Sequence, residues 1–301
     1  MSLKFYKNTR ILLTGLLIAL SSIPLSAAPV TLSSWNIEWL TKTPNPRFPQ
    51  SLRVEDDFEA LQRHLYSFNP DILAFQEVDS IEAIQKVVGS GYSIYLSQRA
   101  DPENFRQQFD GTNQYTGFAV KSELNVTNVE DVRLVSSANS KLRFASYLIW
   151  HREDLPSVHL LSVHLKAGCS GKYSKSKSCK TLKVQGEAIN GWIKARNTKQ
   201  QPYIVLGDFN HNLAYAGDWL WLTMTSSLNH SPRLVTQKTK ALCKVRSHKS
   251  EHKTHQFRSL IDHIIMSPDL NSSPAVQNVI ASKEVLEFKM SDHCPISTAV
   301  Y

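Results

Sequence analysis

Acidic residues are missing from residues 166–183, a stretch that carries six lysines. Cysteine is scarce: the 301-residue chain has only Cys169, Cys179, Cys243 and Cys294, and no two stand in CxxC spacing. That spacing argues against a structural zinc site, and four thiols in an exported chain permit three disulfide pairings. Cys169–Cys179 would staple the lysine stretch, and Cys243–Cys294 would tie a second basic stretch to the C-terminal region. Long apolar runs are also lacking. After residues 11–20 no candidate membrane span remains, and that first run is too short for a stable one. Internal repeats, low-complexity tracts and linkers are absent, so one α/β domain with mixed sheets, residues 29–301, fits the length.

Residues 1–28 read as a secretory signal peptide: Lys4, Lys7 and Arg10 precede the apolar run, and Ser26-Ala27-Ala28 offers small residues for cleavage. An uncleaved anchor is the alternative. Cleavage removes three positive charges, so the formal +8 becomes +5, and the mature chain is expected in the periplasm or outside the cell. The net value hides a concentration. Residues 238–258 carry seven Lys/Arg against Glu251 alone, so the two basic segments hold +12 and the rest of the mature chain is acidic. Positive charge gathered in two loops points to a polyanionic partner, whereas a solvated lysine-rich face is the plainer account.

Periodicity predicts strands over 30–35, 72–75, 92–96, 115–120, 124–135, 142–150, 157–165, 204–206, 259–266 and 296–300. It predicts helices over 51–68, where Val54, Phe58, Leu61, Leu65 and Phe68 form one stripe, and over 79–88, 181–196 and 218–224. Residues 99–114 read as a surface loop, and the remainder of 211–258 as mixed.

The centre of the pattern is Ile204-Val205-Leu206-Gly207-Asp208-Phe209-Asn210. A short buried strand ends there, and residues two apart share a face, so Asp208 and Asn210 point together while Phe209 enters the core. A carboxylate beside an amide suits a metal, water or phosphate, although a plain turn has the same composition. Other predicted strands also end in polar groups: Asn36, Glu77, His164, Asp262 and Asp292-His293. Each has a plainer reading. Glu77 could cap the next helix, His164 could be a satisfied core histidine, and Asp262 could pair with His263. Their joint occurrence at strand ends, where α/β sheets place sites, argues against coincidence.

In order along the chain, Trp35-Asn36, Gln76-Glu77-Val78, Ser162-Val163-His164-Leu165, Gly207-Asp208-Phe209-Asn210, Ile261-Asp262-His263-Ile264 and Ser291-Asp292-His293-Cys294-Pro295 resemble the motifs of the endonuclease/exonuclease/phosphatase superfamily, typified by pancreatic deoxyribonuclease. The resemblance implies a four-layer sandwich: two mixed β-sheets packed face to face, helices outside, and the site at one edge. It implies that Glu77 holds a divalent cation, assisted by Asn36 and Asp292. Mg²⁺ suits such an oxygen site, with Mn²⁺ or Ca²⁺ as alternatives. His293 would be the general base, Asp262 its orienting carboxylate, and Asp208 with Asn210 would position water and phosphoryl oxygen. His164 would donate to the phosphate or protonate the leaving oxygen, and Tyr115 matches a family tyrosine near the phosphate.

The family cuts DNA, RNA, inositol phosphates and sphingomyelin. The leader disfavours cytosolic abasic-site enzymes, and the residues around the two late motifs fit inositol-phosphate enzymes poorly. A sphingomyelinase would need an exposed membrane-insertion element, for which Trp219-Leu220-Trp221 is the candidate, although core packing is its plainer role. The basic segments favour nucleic acid, with Lys172, Lys175, Lys177, Lys244 and Arg246 as phosphate contacts. The expectation is a secreted, metal-dependent, nonspecific endonuclease. A phospholipid phosphodiesterase and a catalytically silent nucleic-acid-binding relative are the alternatives.

Overall fold

The computed structural model describes Met1, residues 28–247 and residues 250–301, so the expected leader, apart from its two ends, lies outside the described residues. In chain order the strands are β1 (Val30–Leu40), β2 (Ile72–Val78), β3 (Tyr92–Leu96), β4 (Tyr115–Lys121), β5 (Val126–Val132), β6 (Ala145–Arg152) and β7 (Leu155–His164). They continue with β8 (Tyr203–Asp208), β9 (Arg233–Leu234), β10 (Lys244–Ser247), β11 (Ser250–Gln256), β12 (Asp262–Met266), β13 (Val276–Gln277) and β14 (Ile296–Val300). The helices are α1 (Glu55–Phe68), α2 (Ile81–Val88), α3 (Lys177–Thr198), α4 (Trp219–Thr225) and α5 (Ser282–Glu287).

Two six-stranded sheets form, one in the order β13-β14-β1-β2-β4-β3 and the other β5-β6-β7-β8-β12-β9. Each is mixed, because β1/β2 and β7/β8 are parallel and the remaining pairs antiparallel. Side-chain alternation explains the layers. In β1, Leu32 enters an apolar cluster between the sheets with Ile72, Leu160, Ile204 and Leu206, while Trp35 and Ile37 face out against α1. In β8, Val205 and the following Phe209 join the outer cluster under α3 and α4, as the two-residue alternation predicts. The result is the expected four-layer sandwich.

Toward one edge the inner face turns polar. The Ser34 hydroxyl donates to Gln76 Oε1 (3.3 Å), and Gln76 Nε2 donates to Ser162 Oγ (3.2 Å), so side chains from both sheets satisfy one another in a dry layer. The next residues outward along these strands, Asn36 and His164, open the functional edge.

Element boundaries shift for local reasons. α1 begins at Glu55, because Pro49–Ser51 form a 3₁₀ turn and Glu55, Asp56 and Asp57 then occupy the positive first turn. α3 starts at Lys177, four residues before its apolar stripe, because the Ser176 hydroxyl caps it by accepting Cys179 N–H (3.2 Å). The lysine loop therefore ends at residue 176. The second basic segment contains the hairpin β10–β11, which the sequence reading left as mixed. Both expected disulfides are present.

Candidate active site

Four non-glycine residues adopt left-handed backbone conformations at the functional edge: Glu38, Trp39, Glu77 and Asn210. Such strain collects where the surroundings over-determine a site. Gly207 is required for a different reason, since a Cβ there would lie 2.0 Å from the Val163 carbonyl oxygen. Its absence lets β8 approach β7 and brings Asp208 level with His164 in the parallel register.

Asn36 is the hub. Its Nδ2 donates to Glu77 Oε1 (3.2 Å) and to Asp208 Oδ2 (3.0 Å), joining the two sheets, while its Oδ1 accepts Glu38 N–H (3.0 Å). Glu77 is not the cap of α2, because the Ser80 hydroxyl fills that place. Its Oε2 instead accepts Trp39 N–H (3.2 Å) and Gln114 Nε2 (2.5 Å), and Arg143 donates to the same Gln114. Arg143 and Gln114 are site residues that sequence reasoning missed. Each is a lone polar residue in an irregular stretch, with no motif to mark it.

On the other sheet Asp208 and Asp262 stand opposite each other in the antiparallel β8/β12 register. Asp208 Oδ1 accepts Asn210 N–H (2.7 Å), and Asn210 Nδ2 donates to Asp208 Oδ2 (3.2 Å), so the two side chains meet at the strand end. Asp262 does not pair with its neighbour. His263 is fully buried and bonds the Thr236 hydroxyl (2.8 Å) and Leu213 N–H (3.1 Å). Asp262 Oδ2 is held by His293 Nδ1 (2.8 Å), and its Oδ1 has no hydrogen-bond partner among the described residues. His293 Nε2 lies 3.8 Å from Asp208 Oδ2 and 3.8 Å from Asp292 Oδ1. The Ser291-Asp292-His293 turn is seated on β1, because the Ser291 hydroxyl donates to the Asn36 carbonyl (2.6 Å) and Trp35 Nε1 donates to the His293 carbonyl (3.1 Å). Arg53 holds the same junction from beneath, donating to the carbonyls of Ile37, Glu38, Lys289 and Met290.

The charges shape one another. Burial would lower the His293 pKa, but Asp262, Asp208 and Asp292 outweigh it and hold the ring well above the ordinary imidazole value. Burial, reinforced by Asp262, pushes the Asp208 carboxyl up to about 7. Glu38, absent from the sequence-derived set, is also pushed up to about 7 by burial and by Asp292, whose backbone N–H donates to its Oε2 (3.0 Å). His164 behaves oppositely. Burial, with Arg143 and His293 nearby, drives its pKa well below the ordinary value. The ring is thus neutral, with Nε2 turned to Asp208 (3.5 Å) and Glu77 (3.7 Å) and Nδ1 buried without a partner among the described residues. Acceptor-only carboxylates place its proton on Nε2. A neutral ring with its proton on Nε2 fits the first of the two expected roles, donation of a hydrogen bond to the phosphate.

Two groups of side chains could hold a cation. Ligand atoms of Asp208, Asp262 and His293 lie within 4.8 Å of one another. There, however, the imidazole Nδ1 is bonded to Asp262 while Nε2, 3.8 Å from Asp208, is left open, the arrangement of a proton-transfer triad. Glu77, Asp292 and Glu38 supply the all-oxygen alternative, where burial first, then repulsion by Asp292 and less by Glu77, raise the Glu38 pKa. That donor chemistry and that repulsion fit a hard divalent cation. Asn36 shows its NH₂ to this group and serves to position Glu77.

The remaining expected residues divide. Tyr115 is buried with its ring beneath Arg99 (4.6 Å) and makes no hydrogen bond to the converging groups among the described residues. Lys172, Lys175, Lys177 and Lys244 are exposed. Arg246 is partly engaged elsewhere, because its Nη2 donates to the Leu286 (2.9 Å) and Phe288 (3.3 Å) carbonyls at the end of α5. The lysine loop is anchored from below by His211, whose ring joins the Cys169 carbonyl (2.7 Å) to Asp218 Oδ2 (2.6 Å), and by Trp219 Nε1, which donates to the Gly171 carbonyl (3.0 Å). Trp219 and Trp221 are half-buried against the outer core, so they form no exposed insertion element.

Two face-to-face mixed sheets, with acids, amides and imidazoles converging from their inner strands, define a deoxyribonuclease-like hydrolase fold. The chain belongs to the endonuclease/exonuclease/phosphatase family, whose model matches residues 33–293. Members are typically divalent-metal-dependent hydrolases of phosphodiesters or phosphate esters. No curated protein matches the chain in sequence. Among solved structures it is similar to TDP2 from Caenorhabditis elegans, at 19% identity and TM-score 0.62 over 92% of this chain and 75% of that one. The human Nocturnin catalytic domain with bound sulfate gives 17% identity and TM-score 0.60, covering 91% of this chain and 94% of that one. A mannosyl-6-phosphatase of Bacteroides thetaiotaomicron gives 14% identity and TM-score 0.61, covering 90% of this chain and 99% of that one. At these identities the likeness shows the fold. Two disulfides are consistent with an oxidising compartment, and no described helix is long and apolar enough to cross a membrane.

Proposed function

We propose that residues 29–301 form an exported, Mg²⁺-dependent phosphodiesterase that hydrolyses DNA as a nonspecific endonuclease. The observation that carries the reading is the Asp262–His293–Asp208 array facing Glu77 and Asn36 across the sheet junction, beside a lysine-bearing loop. In this reading Asp262 fixes the proton of His293 on Nδ1, leaving Nε2 to take a proton from the attacking water. The water oxygen bonds to phosphorus while the opposite P–O bond breaks, and the departing oxygen takes a proton from solvent water to leave as an alcohol. Asp208 and Asn210 orient the water, and Arg143 together with the His164 Nε2–H meets the charge on the phosphoryl oxygens. A divalent cation held by Glu77, with Asp292 and Glu38, neutralises charge on the phosphate when bound.

Supercoiled-plasmid nicking by the mature chain in Mg²⁺, abolished by EDTA, tests the activity. A folded protein that leaves the plasmid intact would remove nucleic acid as substrate and direct assays to soluble phosphoesters and sphingomyelin. The half-buried Trp219 and Trp221 give the phospholipid reading no support. A second expected result concerns affinity. Each lost phosphate contact reduces the slope of log K against log salt by roughly 0.9 on duplex DNA. Replacing Lys172, Lys175 and Lys177 together should therefore flatten the slope measured by fluorescence anisotropy, and an unchanged slope would make the loop a solvated face.

A further inference from the structure

The cleft holding His293 continues past the reacting groups. It encloses about 470 Å³, within the roughly 300–1,000 Å³ typical of ligand sites. Its lining joins the converging groups Asn210, Asp262, Asp292 and His293 to Ser170, Phe257 and Arg258, residues that make no hydrogen bond to them among the described residues. Arg258 is exposed and has no hydrogen-bond or ion-pair partner among the described residues, in contrast to Arg246 twelve residues earlier. Phe257 is 40% exposed and offers an aromatic face.

Both walls are cross-linked to the catalytic frame. Phe257 N–H donates to the Cys243 carbonyl (3.2 Å), and Cys243 is disulfide-bonded to Cys294, the residue after His293. Gln277 Oε1 accepts the N–H groups of Leu242 (2.7 Å) and Cys243 (2.9 Å), fixing the same segment again. On the opposite wall Ser170 follows Cys169, which is bonded to Cys179 at the start of α3. An arginine free of internal partners and an aromatic residue, on a backbone segment tied to the residue after His293 and lining the same cleft, offer the chemistry to take a phosphate and the base attached next to it.

We propose that Arg258 and Phe257, with Ser170, form a second subsite that binds a phosphate adjacent to the scissile one and stacks the intervening base. This rests on the phosphodiesterase reading above and adds to it that the substrate carries at least two neighbouring phosphates. A single phosphodiester would occupy only the catalytic end.

The test compares thymidine dinucleotides with one internucleotide phosphate and no other against the same dinucleotide phosphorylated at both ends. Binding is measured by calorimetry and cleavage by chromatography, using the full mature chain with Mg²⁺. The parent should bind the terminally phosphorylated form about tenfold more tightly, the usual weight of one charged hydrogen-bonding contact. Arg258→Gln, a change at an exposed side chain, should abolish that preference while leaving affinity for the unphosphorylated form unchanged. Phe257→Ala should weaken both forms. Equal binding of the two ligands by the parent, or a preference that survives Arg258→Gln, overturns the subsite. Discrimination in binding without cleavage of either ligand supports the subsite and counts against the nuclease reading alone.

Discussion

The His293→Ala variant is expected to nick supercoiled DNA roughly 10²–10⁴-fold more slowly than the parent, the usual weight of a general base. The residue lines the cleft and lies in no helix or strand, so the circular-dichroism spectrum should be unchanged. The control is pH. Since Asp262 and Asp208 hold the parent ring in its charged form, and only the neutral ring takes a proton, the acid limb of kcat/KM should lie above the ordinary imidazole pKa. Asp262→Asn removes a negative charge that stabilises the imidazolium, so the limb should move to lower pH as the rate falls. A His293→Ala enzyme that nicks like the parent would take the imidazole out of the mechanism. A limb that ignores Asp262→Asn would break the pair.

Glu77→Gln should raise the Mg²⁺ concentration for half-maximal activity by more than the roughly 10–100-fold that loss of a supporting partner costs a metal site. Two effects add. One charge at the oxygen-rich group disappears, and the glutamine NH₂ must face either the Asn36 amide or the Trp39 N–H and Gln114, all of which donate to the carboxylate in the parent. Calorimetric titration with Mg²⁺ checks binding apart from turnover. A titration curve matching the parent would move the cation away from Glu77, and the Asp208, Asp262 and His293 group would be its remaining location.

The site was partly legible before any coordinates. Asn36, Glu77, His164 and Asp208 lie at or near the ends of runs whose period predicts a strand, whereas Asp262 opens β12 and His293 precedes β14. Because β12 and β14 run antiparallel to β8 and β1, their starts meet those ends at one edge. Arg143, Gln114, Glu38 and Arg53 lacked such a signal. Gln114 sits in an aperiodic segment, Arg143 lies in the predicted strand 142–150 with no motif to mark it and falls before β6, and the role of Arg53 comes from carbonyls more than 230 residues away, Lys289 and Met290. The β10–β11 hairpin and α5 were missed because neither has a stripe: a Lys/Ser/His-rich hairpin has no apolar period, and α5 is six residues long.

Backbone-level chemistry is what the sequence by itself determined: the order of the periodic strands and helices, which face of each is buried, and which polar types stand near strand ends. Local periodicity and turn chemistry act over a few residues, so one chain suffices to read them. Only the tertiary structure decided that Asn36 bridges Glu77 to Asp208, that Asp262 takes His293 rather than His263, and that burial keeps His164 neutral. It also decided that Arg246 ends on carbonyls while Arg258 faces the cleft. Those outcomes depend on desolvation and on partners brought from distant segments, and neither is a property of any local stretch of chain.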